Sequence, residues 1–427
     1  MTDARPFRAV RYDTKRVELS KVIVPPYDVI AADERGDFFD RDPHNAIRFE
    51  LTRDVEDEAD ADYAEIAETL AVWRESGVLI QDESPGYYVM RQRFSAPGGE
   101  MLTRVGFFAE LGLAEYDERS VLPHERTLAG PKADRLKLLR AAQANLSSVF
   151  LLYQDKALET GPLLESAFTD AGVVLGSARD DAGVEYELAR LTDAQSIARL
   201  EAFMKPRPCV IADGHHRYET ALEYRRERRA AAGTVSAGAA YESTLAYFAN
   251  AYAPGSLLLP IHRLIRSVPA PSEAEWQARL PGWRMRATPV GGAEEVAGAL
   301  ARHLTPLAGR AAFAAETGDG RLLVFEREAA LGDELMVRVL ERDVIGAVFD
   351  LSPAAIREGA VGFPKSAVRA ARELRDGEGT VALYLNPLSP DDVFRVTGAG
   401  EVMPQKSTFF YPKVPTGMAF RVHERAG

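Results

Sequence analysis

A short apolar run, Cys209-Val210-Ile211-Ala212, breaks off into Asp213-Gly214-His215-His216-Arg217, and a stretch of helical composition follows over about 218–232. This order constrains the fold more than any other segment. A buried strand needs a sheet around it, and Gly214 lets the chain turn tightly into a helix. The first amides of that helix have no partners inside it and carry partial positive charge, which makes the turn an anion cradle. His215, His216 and Arg217 add donors, and the planar fork of Arg217 can hold two phosphate oxygens together. Asp213 keeps three readings: a cap for the helix, a ligand for Mg²⁺, or an acceptor of a proton. The plainer alternative makes Asp213 a simple cap and the histidines loop supports; two adjacent histidines and an arginine in one turn weigh against it.

Elsewhere strands and helices are mixed. Residues 22–24 before Pro25-Pro26 read as a strand that the prolines stop, placing Asp28 at its end. Over 57–76, Tyr63, Ile66, Leu70 and Trp73 recur at helical spacing, and Gly77 ends the pattern. The runs 86–94 and 102–111, joined through Pro97-Gly98-Gly99, read as a hairpin. A helix is expected to open near Ala133, a strand to cover 149–153, a helix 158–169, and strands 244–251, 257–261 and 381–385. Hairpins among helices favour an α+β fold with mixed sheets over a strictly alternating parallel one. The chain of 427 residues, 46% of them apolar, is long enough for two or three cores. Residues 267–292, rich in Pro, Ala and Gly, mark a junction between a lobe over 1–270 and a second lobe of helices and strands over 271–427, which returns the block 403–413 toward the site.

With 64 acidic and 52 basic side chains the formal charge is −12, the wrong sign for a nucleic-acid or membrane-surface binder. A small phosphorylated ligand is still allowed, since local cations and backbone amides can hold it. The one cysteine, Cys209, excludes an intrachain disulfide and a cysteine metal cage. It reads as a small buried hydrophobe, and a reducing compartment fits. Residues 1–10 lack a signal-peptide core, and no apolar run reaches the roughly 20 residues of a membrane span, so a cytoplasmic protein is expected. No Walker A loop and no dinucleotide fingerprint is present.

Three further clusters hold chemistry-bearing residues. His124-Glu125-Arg126-Thr127, with Lys132 and Arg135, stands where a helix opens; Lys132 and Arg135 could meet phosphate and Glu125 could act as a base. Lys406-Ser407-Thr408, Tyr411 and Lys413 lie among prolines and aromatics near the chain end and could close over a ligand. Tyr27-Asp28 and His262 sit at predicted element ends. Each also has a bland reading, as a solvated helix end, a packed terminal loop or a plain strand exit.

The segment Ile211-Ala212-Asp213-Gly214-His215-His216-Arg217-Tyr218 resembles the phosphate-binding turn of the ParB and sulfiredoxin-like superfamily, in the version found in free L-serine kinases. Across nearly its full length the chain is similar to a large uncharacterised bacterial and archaeal family. The patterns that carry this are Val24-Pro25-Pro26-Tyr27-Asp28, Leu122-Pro123-His124-Glu125-Arg126-Thr127 with Gly130-Pro131-Lys132, the Asp213 turn, and 403–413. The resemblance implies a ParB-like core and Mg²⁺-dependent in-line transfer of a phosphoryl group to free L-serine. Pyrophosphate is the implied donor, where the small serine kinases use a nucleoside diphosphate. In the mechanism this favours, Asp213, Glu125 and His215 would be catalytic, with Asp213 or Glu125, and Asp28 behind them, holding the serine hydroxyl, and Asp213 also on the metal. Gly214, His216, Arg217, His124, Thr127, Lys132, Arg135, Lys406, Ser407, Thr408 and Lys413 would hold phosphates; Asp28, Tyr27, His262 and Tyr411 would hold the acceptor. Two other readings stay open: a phosphatase acting on phosphoserine, and a nucleotide- or DNA-binding module, the latter disfavoured for DNA by the net charge.

Overall fold

A computed structural model describes residues 1–53, 63–125, 129–233 and 238–423. It divides into two compact units. The first joins Met1–Leu257 with Thr397–Val402 and Pro412–Gly427; the second joins Leu258–Val396 with Met403–Tyr411.

Among the described residues the first unit is built on nine strands: β1 (Ala4–Arg5), β2 (Tyr87–Ser95), β3 (Met101–Gly112), β4 (Val121–Leu122), β5 (Val149–Tyr153), β6 (Gly172–Arg179), β7 (Glu185–Leu191), β8 (Cys209–Asp213) and β9 (Ser243–Asn250). They pair in the order β4-β8-β5-β9-β3-β2-β7-β6, with β1 on the far end of β3. β8 runs parallel to β4 and β9 parallel to β5; the other pairings are antiparallel. The expected hairpin is β2 and β3, pairing Tyr88 with Phe108 and Ser95 with Met101 across a turn where Gly99 takes φ 86°.

Period-two alternation sends Tyr87, Val89, Phe107, Leu111, Leu151, Ile211 and Phe248 into one core. There Phe107 and Phe248 stack at 5.1 Å. Each such side chain withdrawn from water contributes roughly 1.5–3 kcal/mol. Of the longer helices, α3 (Ala194–Met204) and α4 (His215–Ala232) pack on the sheet, α2 (Ala129–Ala142) lies against α4, and α1 (Tyr63–Glu75) lies against α2. In α1 the spaced residues Ile66, Leu70 and Trp73 are buried, and Gly77 with φ 73° follows the helix end. The earlier part of that expected helix, 57–62, lies outside the described residues.

Three expectations change. α4 begins at His215, three residues before 218, so both histidines and Arg217 belong to its first turn. α2 begins at Ala129 rather than near 133. The expected strand over 22–24 is instead the end of a helical turn, Leu19–Val22, followed by a lone bridge from Val24 to Thr416. Its backbone is satisfied in other ways: Ala46 N–H donates to the Val22 carbonyl at 2.8 Å, and Thr416 exchanges bonds with Val24 at 2.8 and 3.1 Å.

The second unit holds a six-stranded antiparallel sheet of β10 (Arg263–Ile265), β11 (Trp283–Pro289), β12 (Ala312–Glu316), β13 (Arg321–Arg327), β14 (Val361–Gly362) and β15 (Val381–Tyr384), ordered β11-β13-β12-β15-β10-β14. Helices α5 (Ala293–His303) and α6 (Ala367–Arg375) bury Val296, Leu300, Ala370 and Leu374 against Ala314, Val324 and Tyr384. The Pro/Ala/Gly-rich stretch 267–292 carries the helix Glu273–Arg279, whose Ser272 and Glu275 form a reciprocal cap, and β11. The fold is α+β with mixed sheets, as the sequence leads one to expect. Among the described residues no helix is long and apolar enough to cross a membrane.

Candidate functional site

A strand irregularity creates the site. β8 pairs Val210 with Leu152 and Ile211 with Leu151, and then Asp213, not Ala212, with Phe150. Strict alternation would put Asp213 on the face of Ile211, inside the apolar core. The extra residue Ala212 forms a bulge, and a bulge re-aims the side chains after it.

Gly214 comes next as the helix cap residue at φ 86°, with no side chain capping α4. Asp213 is therefore not the cap. A Cβ on Gly214 would lie 2.9 Å from Arg217 Nε and 3.0 Å from its Cζ, so this glycine answers both the left-handed backbone and the guanidinium lying across it. Gly214→Ala is expected to cost about 1–2 kcal/mol in backbone strain and to displace Arg217 as well. A urea-unfolding midpoint measures the first effect. A fall in turnover larger than the change in stability explains measures the second.

Two cations anchor on Asp213. Lys413 Nζ donates to Oδ1 at 2.7 Å and Arg217 Nη2 to Oδ2 at 2.8 Å. Arg217 Nη1 also donates to the Ser148 carbonyl, and Arg217 Nε is buried without a hydrogen-bond partner among the described residues. Burial alone would raise the Asp213 carboxyl, but the charges of Lys413 and Arg217 outweigh it and hold the carboxyl well below the usual carboxylate range. Lys413 is fixed in turn by two polar groups that the sheet buries. Gln92 Nε2 donates to the Lys413 carbonyl at 3.1 Å, and Arg104 Nη2 to the Pro412 carbonyl at 2.6 Å. Arg104 Nε donates to Gln92 Oε1 at 2.9 Å, and its guanidinium lies 4.7 Å from the Phe150 ring.

His124 and His215 meet edge to face at 4.6 Å, both buried. The His124 backbone N–H donates to His215 Nε2 at 3.2 Å, which places the His215 proton on Nδ1. His124 Nδ1 contacts the Ile211 carbonyl, an acceptor, so that nitrogen carries the proton. Burial lowers the pKa of both, and the charge of His124 lowers that of His215 further. The pair thus staples the 122–125 segment to the end of β8 as neutral imidazoles. Unfolded histidines take up protons as pH falls through about 6.5, while these native ones refuse them until lower pH. The unfolded chain then binds more protons, so the stability the pair confers is complete above about pH 6.5 and declines below it, by about 1.4 kcal/mol per pH unit for each histidine. Urea midpoints between pH 7 and 5 check this, with His124→Asn and His215→Asn flattening the slope.

Around this centre stand the other expected residues of the first unit. The charges of Asp28 and Glu125 both act on half-buried His216, and Asp28 also acts on Arg217. Asp28 is exposed and Glu125 half-buried. Lys132 pairs with Glu219 of α4 at 2.8 Å. Arg135, expected on phosphate, is spent elsewhere: Nε donates to Asp134 at 2.7 Å, Nη1 to Glu50 at 3.4 Å and Nη2 to the Glu50 carbonyl at 3.1 Å. Tyr27 lies over that guanidinium at 4.3 Å. Its phenol is pushed up to about 12, chiefly by burial. Glu50, 1% exposed, also accepts from Thr416 Oγ1.

The first unit therefore brings Asp213, Gly214, His215, His216, Arg217, His124 and Lys413 together, with Asp28, Glu125 and Lys132 on the same helix end. Tyr27 and Arg135 form a supporting pair beside them. Thr127 lies outside the described residues. His262, Lys406, Ser407, Thr408 and Tyr411 belong to the second unit. There His262 is buried, accepts from Leu385 N–H at 3.4 Å and is lowered to about 3 by burial and by Arg263. Ser407 Oγ donates to the Pro404 carbonyl at 2.5 Å, Lys406 has φ 58°, and Thr408–Tyr411 is a short strand. Glu50, Gln92, Arg104 and Glu219 are site supports that sequence reading missed.

No group of three or more His, Cys, Asp or Glu residues that could hold a metal ion occurs among the described residues. Asp213 does not fit a metal ligand as placed, because each of its oxygens already accepts from a cation.

Comparison with known proteins gives a family model described as a protein of unknown function, DUF1015, which matches residues 4–298. No curated protein matches the chain. Among solved structures, a conserved hypothetical protein from Pyrococcus furiosus aligns at 12% identity and TM-score 0.35, covering 74% of this chain and 95% of its own. A free serine kinase in complex with AMP aligns at 13% identity and TM-score 0.34, covering 74% and 91%. SbnI with a C-terminal truncation, from Staphylococcus aureus, aligns at 12% and 0.35, covering 71% and 84%.

Proposed function

The chain belongs to the DUF1015 family of proteins of unknown function, and from that premise we propose that it is a phosphotransferase that moves a phosphoryl group from inorganic pyrophosphate to the hydroxyl of free L-serine. One observation carries the reading: Lys413 and Arg217 share the Asp213 carboxylate at a left-handed glycine turn where the first amides of α4 emerge. Two cations held at fixed positions beside a helix N-terminus suit a dense, multiply charged anion. The resemblance of the Asp-Gly-His-His-Arg turn to that of free serine kinases supplies the acceptor.

In this proposal the donor binds against Arg217, Lys413, His216 and the first-turn amides, and a Mg²⁺ ion brought with the donor would add further charge neutralisation. The serine Oγ attacks the near phosphorus in line, the bridging P–O bond breaks, and orthophosphate leaves carrying the charge that the cations stabilise. Asp213 positions the two cations. Its low pKa makes it a poor proton acceptor, so the proton passes to another carboxylate, and Asp28 is assigned because its field reaches both His216 and Arg217. Glu125 then serves as an electrostatic partner of the histidines. Lys132, on its pairing with Glu219, lines the approach.

Phosphorus NMR of the protein with Mg²⁺ and L-serine, given pyrophosphate, ADP or ATP in separate tubes, tests the reading. Phosphoserine with pyrophosphate is the expected result. Phosphoserine only with a nucleotide would replace the donor, and orthophosphate released only from added phosphoserine would replace kinase by phosphatase.

A further inference from the structure

A cleft of about 670 Å³ opens elsewhere in the first unit, where the C-terminal half of α4 meets the N-terminal segment and the chain near 421–423. It is within the size range of small-molecule sites. Tyr224 and Arg228, which line it, stand nine and thirteen residues beyond His215 on α4, roughly 14 and 20 Å along the helix from the Asp213 turn. Its lining combines flat apolar surface from Phe7, Tyr224 and Tyr241 with charge from Arg8, Arg228 and Arg421.

The one acidic residue among the described residues of the lining, Glu110, is already neutralised: Arg5 and Ser243 donate to Oε1 at 2.7 Å each, and Arg421 Nε lies 3.2 Å from Oε2. Two polar groups remain uncommitted. Among the described residues Arg228 has no carboxylate partner; its guanidinium lies 6.0 Å from the Tyr224 ring and its charge acts on His423. His423 is tied by its backbone N–H to the Gln143 carbonyl at 2.8 Å, with its ring 5.8 Å from Tyr224, yet its Nε2 is buried without a hydrogen-bond partner among the described residues. A buried nitrogen left unsatisfied destabilises the fold, and a ligand atom that accepts from it or donates to it would remove that cost. Gln143 adopts φ 46° at the end of α2, a left-handed conformation usually left to glycine or asparagine, and so turns its carbonyl to His423.

We propose that this cleft is a second small-molecule site, for an organic anion with a flat apolar body: the anionic group pairs with Arg228 and Arg8, the body lies against Phe7, Tyr224 and Tyr241, and His423 Nε2 hydrogen-bonds a polar atom. A phosphate and a carboxylate would satisfy the same cations, so the probes separate the two sources. The proposal does not rest on the reaction assigned to the Asp213 turn.

Calorimetric titration of the full-length protein with AMP, 4-hydroxybenzoate, adenosine and inorganic phosphate tests it. At least one of the two ring-bearing anions is expected to bind in the micromolar to millimolar range, about tenfold or more tighter than adenosine or phosphate. AMP alone would name a phosphate-bearing ligand, 4-hydroxybenzoate alone a carboxylate. Arg228→Glu, a substitution on the exposed face of the helix, should weaken that binding at least about tenfold, His423→Ala should weaken it too, and Arg217→Ala should leave it unchanged. Serine phosphorylation without added anion should be the same in Arg228→Glu as in the parent. No binding at millimolar concentration, binding indifferent to Arg228→Glu, or binding abolished by Arg217→Ala would each overturn the site.

Discussion

Replacing Lys413 by methionine is expected to lower kcat/KM for the phosphoryl donor by about a hundredfold or more while the protein stays folded. The ammonium sits 2.7 Å from Asp213 Oδ1 and 17% of its side chain is exposed, so methionine can fill its apolar stem without opening a cavity. Two effects add. The donor loses one of its anchored cations, and removal of one such group from an electrostatic site costs about 2.7–4 kcal/mol of transition-state stabilisation. Asp213 also loses the larger of the charges holding its carboxyl low, which leaves Arg217 as its main partner and draws that guanidinium toward it. Progress curves by phosphorus NMR give the rate, and circular dichroism with a urea midpoint reports the fold. Arg104→Met should reproduce part of the loss without touching the substrate, because Arg104 and Gln92 hold the 412–413 backbone. A Lys413→Met protein with unchanged kcat/KM would remove Lys413 from the site.

The second large effect falls on stability. Glu50→Ala should destabilise the first unit by about 3–5 kcal/mol, the cost of leaving one member of a buried ion pair behind. Arg135, 7% exposed at its side chain, would keep Asp134 and the Tyr27 ring but lose both Glu50 carboxylate and its fixed geometry, and Thr416 would lose an acceptor. Glu50→Gln retains an oxygen for Thr416 and should cost less than half as much. Urea unfolding measures both. Because Tyr27 packs on Arg135 and Asp28 follows it, the alanine variant should also lower activity in the residual folded fraction, and equal stability for the two variants would show that charge is not what Glu50 provides.

The sequence made the strand, the glycine turn and the following helix legible because all three are local: an apolar run, a residue tolerant of positive φ, and a helical composition. The β2–β3 hairpin was legible for the same reason. What it did not show depends on distance or on parity. Lys413 and Asp213 are 200 residues apart, and no local pattern pairs them. The bulge at Ala212 changes which face Asp213 occupies, and alternation read from sequence assumes no bulge. Gln92 and Arg104 stand in strands, where polar residues read as solvent-facing; here the second face of the sheet is also covered, so both are buried. Glu50 looks in sequence like any acid near a helix end. Arg135 was read as a phosphate contact because a cation at a helix opening suits an anion, but Glu50 and Asp134 claim it first.

The path of the chain through the first unit bears on how the protein is made. Thr416, Phe420 and Arg421 complete that unit: Phe420 bridges to Val10 and packs edge-on to Phe49, while Arg421 pairs with Asn145 in a short antiparallel ladder. A ribosome delivers Met1–Leu257 long before these residues, and delivers the body of the second unit in between. The usual order, in which the leading part of a chain folds first, is thereby reversed at its last step. The early sheet must wait on a tail some 160 residues away, with apolar surface around Val10 and Phe49 uncovered meanwhile. At synthesis rates of about 5–20 residues per second that interval lasts on the order of ten to thirty seconds, a window in which chaperone capture competes with self-association, and one that a circular permutation placing 412–423 ahead of Met1 would close.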